Sequence, residues 1–199
     1  MSELLLQLHR REIPHVCQQP DGRICREPPH HFAILYGAFN PLHEGHLQLA
    51  ATAAKRLRTE VLFELTIRNA DKPVLTIEET ERRMRQFQGR GRLLLTQAST
   101  FAERAKLFHG TTWIVGADTA ERVVQKRFYG NSEYACEVAM MQIRESGCRF
   151  LEAGRVDRMG RFMCLSELEI PPAYRDLFDA IPEDEFRIDI SSTKLRQSL

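Results

Sequence analysis

Four short apolar runs recur along the chain: FAILYG at 32–37, VLFELTI at 61–67, RLLLTQ at 92–97 and TTWIVG at 111–116. Continuous apolar runs of this length, bounded by Gly or polar residues, are how strands buried on both faces read. Helical pattern follows each of them. The segment from about 43 to 58 places Leu47, Ala50, Ala51 and Ala54 on one helix face. TIEE at 76–79 and TFAE at 100–103 have the form of capping boxes, so helices start there, the first running to Gly89. Further helices are predicted from 117 to about 128 and over 132–146. Such alternation specifies an α/β fold: a doubly wound parallel sheet with helices on both faces, because crossovers are right-handed. Sheets of this kind bind ligands beyond the carboxyl ends of the strands, where the strand order reverses. Chemistry is therefore expected just after Gly37, Gly116 and Ile190.

The flanks are less regular. Residues 2–11 read as a short helix with Leu4, Leu5 and Leu8 on one side. Residues 14–30 carry Pro14, Pro20, Pro28 and Pro29 and are expected to be irregular. This divides the chain into an N-terminal extension, 1–31, and a main domain, 32–199. RFLEAGRV and RFMCL are expected to pair as a hairpin around DRMG, and FRIDI at 186–190 to form a last strand before a short helix. A formal net charge of +1 gives no basic footprint for nucleic acid, and no such partner is expected. The five cysteines have no CxxC spacing and read as reduced structural thiols. The N-terminus lacks the basic start and long apolar core of a signal peptide, and no run reaches the ~18 apolar residues of a membrane span. The expected location is cytoplasmic, with no membrane partner. Nothing in the sequence bears on oligomeric state.

GAFNPLHEGH, residues 37–46, sits where the first strand meets the first main helix. Gly37 and Ala38 leave room for a ligand against the backbone, and Asn40-Pro41 fixes a turn. His43 and His46 are three apart, on one face of the helix start. Free N–H groups and the dipole of a helix N-terminus attract anions, and imidazoles can add donors without permanent charge. A zincin-type metal site needs histidines four apart, and HEGH does not supply that. On spacing alone the favoured reading is two helix-start histidines, one exposed and one packed. DISSTKLR at 189–196 changes the balance. It sets Ser191, Ser192 and Thr193 after a strand, at a helix start, with Lys194 and Arg196 within a turn: by itself this is either an N-capped helix with solvated charges or a second anion site.

Together these segments resemble the nucleotidyltransferase superfamily named for its HxGH or HIGH motif. The resemblance is closest to the nicotinate/nicotinamide mononucleotide adenylyltransferases. GAFNPLHEGH is similar to that family's G-x-F-x-P-x-H-x-G-H, ISSTKLR to its I-S-S-T-x-x-R, and VGAD at 115–118 to its G-x-D segment after the fourth strand. The fold implied is Rossmann-like, in agreement with the alternation above.

The activity implied is transfer of AMP from ATP to a mononucleotide phosphate, with release of pyrophosphate. Carried over residue by residue, the resemblance makes His43 and His46 phosphate ligands, with His46 the main donor to the transition state. Gly37, Ala38 and Phe39 supply backbone contacts to ATP, Gly116 and Asp118 border the adenosine, and Ser192, Thr193 and Arg196 hold the β- and γ-phosphates. Asn40 and Lys72 meet the mononucleotide. Mg²⁺ is expected to come with ATP, and no dedicated carboxylate cage or protein-held metal is expected. The sequence departs from the family where a Trp usually follows the G-x-D segment; here RFYG brings Phe128 and Tyr129. Trp113 lies within a strand and is expected in the core. The ring-stacking aromatic is thus unassigned, with Phe101 one candidate. Two alternatives stand beside this reading: transfer to another phosphate acceptor such as phosphopantetheine, and an ATP-binding regulator or ATPase of the same fold.

Overall fold

In the computed structural model the described residues are 2–69, 73–156 and 161–187. In chain order they form α1 (Glu3–His9), β1 (His15–Gln18), β2 (Ile24–Cys25), β3 (Phe32–Tyr36), α2 (Glu44–Leu57), β4 (Glu60–Thr66), α3 (Ile77–Met84), β5 (Leu93–Thr96) and α4 (Phe101–Leu107). Then come β6 (Thr112–Gly116), α5 (Ala117–Val123), α6 (Glu133–Glu145), β7 (Arg149–Ala153), β8 (Arg155–Val156), β9 (Phe162–Met163) and β10 (Phe178–Ile181). The four apolar runs are β3, β4, β5 and β6, as expected.

Eight strands form one sheet in the order β10-β7-β6-β3-β4-β5-β1-β2. The six from β10 to β5 are parallel. From β3 the chain runs outward to β4 and β5, then returns to the other side of β3 for β6, β7 and β10. The switch of direction lies between β3 and β6, which is where such sheets bind ligands. Helices cover both faces. Alternation along each strand feeds two cores: Ile34, Trp113, Val115 and Phe150 face α4, α5 and α6 residues. Leu35, Ile114, Phe63 and Leu151 pack with Leu49, Ala50 and Ala53 of α2. Trp113 is fully buried in the first core, as expected.

The helix starts follow their caps. Thr76 Oγ1 accepts the Glu79 N–H, and Thr100 Oγ1 accepts that of Glu103, while the Glu103 carboxylate returns to the Thr100 N–H. Helical α3 ends at Met84 and continues as a 3₁₀ turn, Arg85–Phe87, before Gly89 reverses the chain with φ of 72°. The helix expected to run to about 128 breaks after Val123 and resumes as a 3₁₀ turn, Lys126–Tyr129.

Three expectations need correction, and a fourth falls largely outside the described residues. The 14–30 segment contributes β1 and β2, an antiparallel hairpin that pairs with β5 and extends the sheet. Its prolines all fall outside these strands, so none removes a ladder N–H. RFLEA is not part of a hairpin but the parallel strand β7; only Arg155–Val156 pairs with Phe162–Met163. The buried face of α2 is Gly45, Leu49, Ala50 and Ala53, and Ala51 is exposed. A face built on Leu47 and Ala51 was offset by about one residue's rotation. Finally, Phe186 and Arg187 are outside any strand, and the rest of FRIDI lies outside the described residues. The last strand described is β10, whose FDAI sequence alternates too briefly to stand out.

Candidate active site

The turn from β3 into α2 is held from behind by α3. Arg83 Nη1 donates to the Ala38 carbonyl at 2.9 Å, and Arg82 Nη2 to Asn40 Oδ1 at 2.7 Å. Glu79 pairs with both arginines. The Gln86 side chain bridges the turn: its Nε2 donates to the Phe39 carbonyl at 3.1 Å and its Oε1 accepts the Leu42 N–H at 2.8 Å. Phe39 takes a left-handed φ of 46°. Its ring, 1% exposed, is fixed among Phe63, Phe87 and His46, and that packing overrides the backbone preference. Gly37 is required by the same ring, because a Cβ there would come within 2.8 Å of Phe39. The Asn40-Pro41 bond is cis.

His43 is the N-cap of α2. Its main-chain N–H donates to His46 Nδ1 at 3.2 Å, and the two rings stack with centroids 3.7 Å apart. Nδ1 of His46 is therefore an acceptor, which leaves Nε2 as the nitrogen that carries the proton. Burial, with His43 beside it, lowers the His46 pKa to about 3. Burial also lowers that of His43. His46 is thus a neutral imidazole with a fixed tautomer, at a helix start whose dipole favours negative charge. Nδ1 of His43 is buried without a hydrogen-bond partner.

Strands β3 and β6 pair with Leu35 beside Ile114, so Gly37 and Gly116 stand next to each other where the two strands end. A cleft of about 370 Å³ opens there, lined by Gly37, Ala38, Asn40, Thr66, Arg83 and Thr119 among others. Neither histidine lines it; they stand one turn further along the chain. A Cβ on Gly116 would meet nothing within 4 Å, so packing does not demand glycine there. Asp118, in the first turn of α5, is held bidentately by Arg155 at 3.0 and 3.1 Å. Next to the cleft, a smaller cavity of about 70 Å³ is lined by Tyr36, Phe101, Arg104, Phe128 and Tyr129, and shares Tyr36, Asn69, Thr119 and Arg122 with it. Phe101 reaches this cavity but is mostly core, in edge contact with Tyr36, Trp113 and Phe150.

Structure thus gathers Gly37, Ala38, Phe39, Asn40, His43 and His46 in one turn, with Gly116 and Asp118 at the adjoining strand end. Lys72, Ser192, Thr193 and Arg196 lie outside the described residues. Sequence reading missed Arg82, Arg83 and Gln86. ERRMRQ reads as the solvated face of a helix, and only the i to i+4 spacing of Glu79 and Arg83 hints at a rigid pair. It also missed Arg104, whose neighbours in sequence give no sign of burial.

Among the described residues no cluster of three His, Cys, Asp or Glu side chains could hold a metal ion. No helix among them is long and apolar enough to cross a membrane. The cysteines are free thiols, three of them buried.

No curated protein matches the chain. The model of the cytidylyltransferase-like family matches residues 34–198, from within β3 to just past the ISSTKLR segment. With the doubly wound sheet and the HEGH turn at its switch point, a match over that span places the chain in the cytidylyltransferase-like family of HxGH nucleotidyltransferases.

Proposed function

We propose that the protein is an ATP-dependent adenylyltransferase that acts on nicotinamide or nicotinate mononucleotide, forming NAD or deamido-NAD and releasing pyrophosphate. One observation carries this reading: two differently built spaces meet at the switch point. A polar cleft runs along Gly37, Ala38 and Asn40 at the mouth of α2, and beside it lies a cavity walled by four aromatic rings. The first is polar and lies along the turn that leads to His43 and His46, and the second is apolar.

An oxygen of the acceptor's phosphate attacks the α-phosphorus of ATP. The new P–O bond forms as the bond to the pyrophosphate oxygen breaks, so no covalent enzyme intermediate is required. Catalysis is then positioning and charge stabilisation. His46 donates its Nε2–H to an α-phosphate oxygen as charge builds there, and the amides at the start of α2 add to the same field. A neutral donor with fixed orientation keeps this role throughout the neutral pH range. His43 packs on His46 and offers a second imidazole. The backbone of Gly37, Ala38 and Phe39 lies along the nucleotide, with the braces from α3 holding it rigid. By family resemblance Gly116 and Asp118 border the adenosine, Ser192, Thr193 and Arg196 take the β- and γ-phosphates, and Asn40 and Lys72 meet the mononucleotide. Mg²⁺ enters as part of the substrate, bound to the ATP phosphates. Free thiols fit a cytoplasmic enzyme.

The test is pyrophosphate release from ATP and Mg²⁺ with a panel of phosphate acceptors. Either pyridine mononucleotide should support release. If phosphopantetheine alone does, the acceptor is wrong and adenylyl transfer stands.

A further inference from the structure

Cys17 and Cys25 are opposite each other in the antiparallel β1–β2 hairpin, and both are free thiols. Cα atoms so paired lie about 4.5–5.5 Å apart, within the usual span of a disulfide. Both side chains turn to the same core. Gln19 Nε2 reaches both sulfurs, Cys25 Sγ at 3.1 Å and Cys17 Sγ at 3.8 Å. Cys25 Sγ also lies 3.3 Å from the Cys17 carbonyl oxygen. Gln19 is itself held, because Arg92 Nε donates to its Oε1 at 2.7 Å and so turns its N–H side to the sulfurs. The two thiols differ in access. Cys17 is fully buried, and burial, with Cys25 beside it, pushes its pKa up to about 12. Cys25 is half-buried, on the outermost strand of the sheet. The other cysteines have other neighbours: Cys136 and Cys148 donate to the Val124 and Phe108 carbonyls, and Cys164 touches Ser166 Oγ.

We propose that Cys17 and Cys25 are a redox pair, oxidised by a hydroperoxide to an intramolecular disulfide that ties β2 to β1. Cys25, the accessible thiol, reacts first. Its thiolate attacks one oxygen of hydrogen peroxide and the O–O bond breaks. The products are a sulfenic acid and hydroxide, which takes the thiol's proton to become water. The Gln19 N–H steadies the sulfur as it takes on charge. Cys17 Sγ then attacks the Cys25 sulfur: the S–S bond forms, the S–O bond breaks, and hydroxide leaves with the Cys17 proton as water. Two thiols have given up two electrons and two protons, and one peroxide has become two waters. A buried thiol is a poor nucleophile toward anything in solution, but the target of Cys17 is its own neighbour. Reduction by a dithiol reverses the step, so in a reducing compartment the pair rests as thiols. The clip closes an edge that docks on α3, since Gln18 Nε2 donates to the Met84 carbonyl at 3.1 Å. None of this depends on the adenylyl-transfer reading.

The test treats the reduced protein with a small excess of hydrogen peroxide, blocks remaining thiols by alkylation, digests without reductant and reads the peptides by mass spectrometry. Cys17 and Cys25 should be lost together, in peptides joined through these two residues that dithiothreitol separates. In Cys17→Ser a sulfenic acid should accumulate on Cys25, where dimedone traps it. In Cys25→Ser, Cys17 should remain a thiol at the same peroxide dose. The linked protein should unfold at a higher temperature than the reduced one, because a cross-link restricts the unfolded chain. Where a variant does not fold, the peptides of the native protein decide alone. Several results overturn the proposal: both thiols left unreacted, Cys25 over-oxidised while Cys17 stays reduced, a link to another cysteine in place of this one, Cys17 oxidised as readily in Cys25→Ser, or a linked form that melts below the reduced one.

Discussion

The main-chain N–H of His43 donates to Nδ1 of His46 across 3.2 Å, and this bond decides which nitrogen of His46 faces chemistry as a donor. One hydrogen bond at a helix start thereby converts a titratable side chain into a fixed, neutral N–H. Most of the expected behaviour of the site follows from it.

His46→Ala should lower kcat by roughly 10²–10³, the usual loss when one oriented donor to a developing charge is removed. The Kd for ATP should change much less, because the amides at the start of α2 remain. Single-turnover rates alongside calorimetry separate the two effects, and unchanged turnover at saturating ATP contradicts the assignment.

The same residue shapes acid stability. Free in the unfolded chain, His46 takes up a proton as pH falls below 6.5, whereas in the folded protein it stays neutral down to about 3. The unfolded state therefore binds more protons in that window. Stability from this group is fully present above 6.5 and is lost as pH falls, by up to about 1.4 kcal/mol per pH unit. In urea titrations His46→Gln should lose stability less steeply than the native protein between pH 6 and 4. Parallel slopes would count against a buried neutral imidazole.

Glu152 in β7 shows the opposite sign. It is fully buried, neither carboxylate oxygen has a hydrogen-bond partner, and burial raises its pKa from 4.5 to about 7. The folded state holds the proton that the unfolded state releases, so stability falls as pH rises from 4.5 through 7. Glu152→Gln should be more stable than the native protein at pH 8, by on the order of 2 kcal/mol, with the gap closing below pH 5. A variant less stable at pH 8 would show that the carboxylate has a stabilising partner.

Gln86→Ala leaves the Phe39 carbonyl and the Leu42 N–H without their shared side-chain partner. Two such losses in a mostly buried turn should cost about 1–3 kcal/mol and raise KM for ATP, since the same turn places Gly37 and Ala38. Thermal unfolding and initial rates read the two consequences. A variant with lower stability and native KM would make Gln86 a structural brace alone.

Arg196→Ala should weaken ATP binding far more than AMP binding, because AMP lacks the β- and γ-phosphates assigned to it. Equal losses in calorimetry would remove Arg196 from the triphosphate site.

Much of this was readable beforehand, for identifiable reasons. β3 to β6 are largely buried on both faces, so their sequences are mostly apolar runs, with Glu64 the buried charged exception in β4. The capped starts of α3 and α4 rest on local Thr–Glu chemistry that sequence shows directly. By contrast, β1 and β2 are short edge strands whose order comes from pairing with β5, a tertiary cause that leaves little local trace. At the site, Gly37, His43 and His46 were legible because a tight turn and a helix start restrict residue types. Arg83 and Gln86 were not, because they act on the turn from 45 and 47 positions away in sequence. Arg104 was hidden for the same reason: its burial depends on Glu64, 40 positions distant.

Adenylyl transfer itself is tested most directly by following the α-phosphate. With ATP labelled at the α position, Mg²⁺ and nicotinamide mononucleotide, the label should appear in a dinucleotide, matched one for one by unlabelled pyrophosphate, with neither ADP nor free phosphate formed. Conversion of ATP to ADP and phosphate with no label in any dinucleotide would contradict the account and leave an ATP-hydrolysing protein of the same fold.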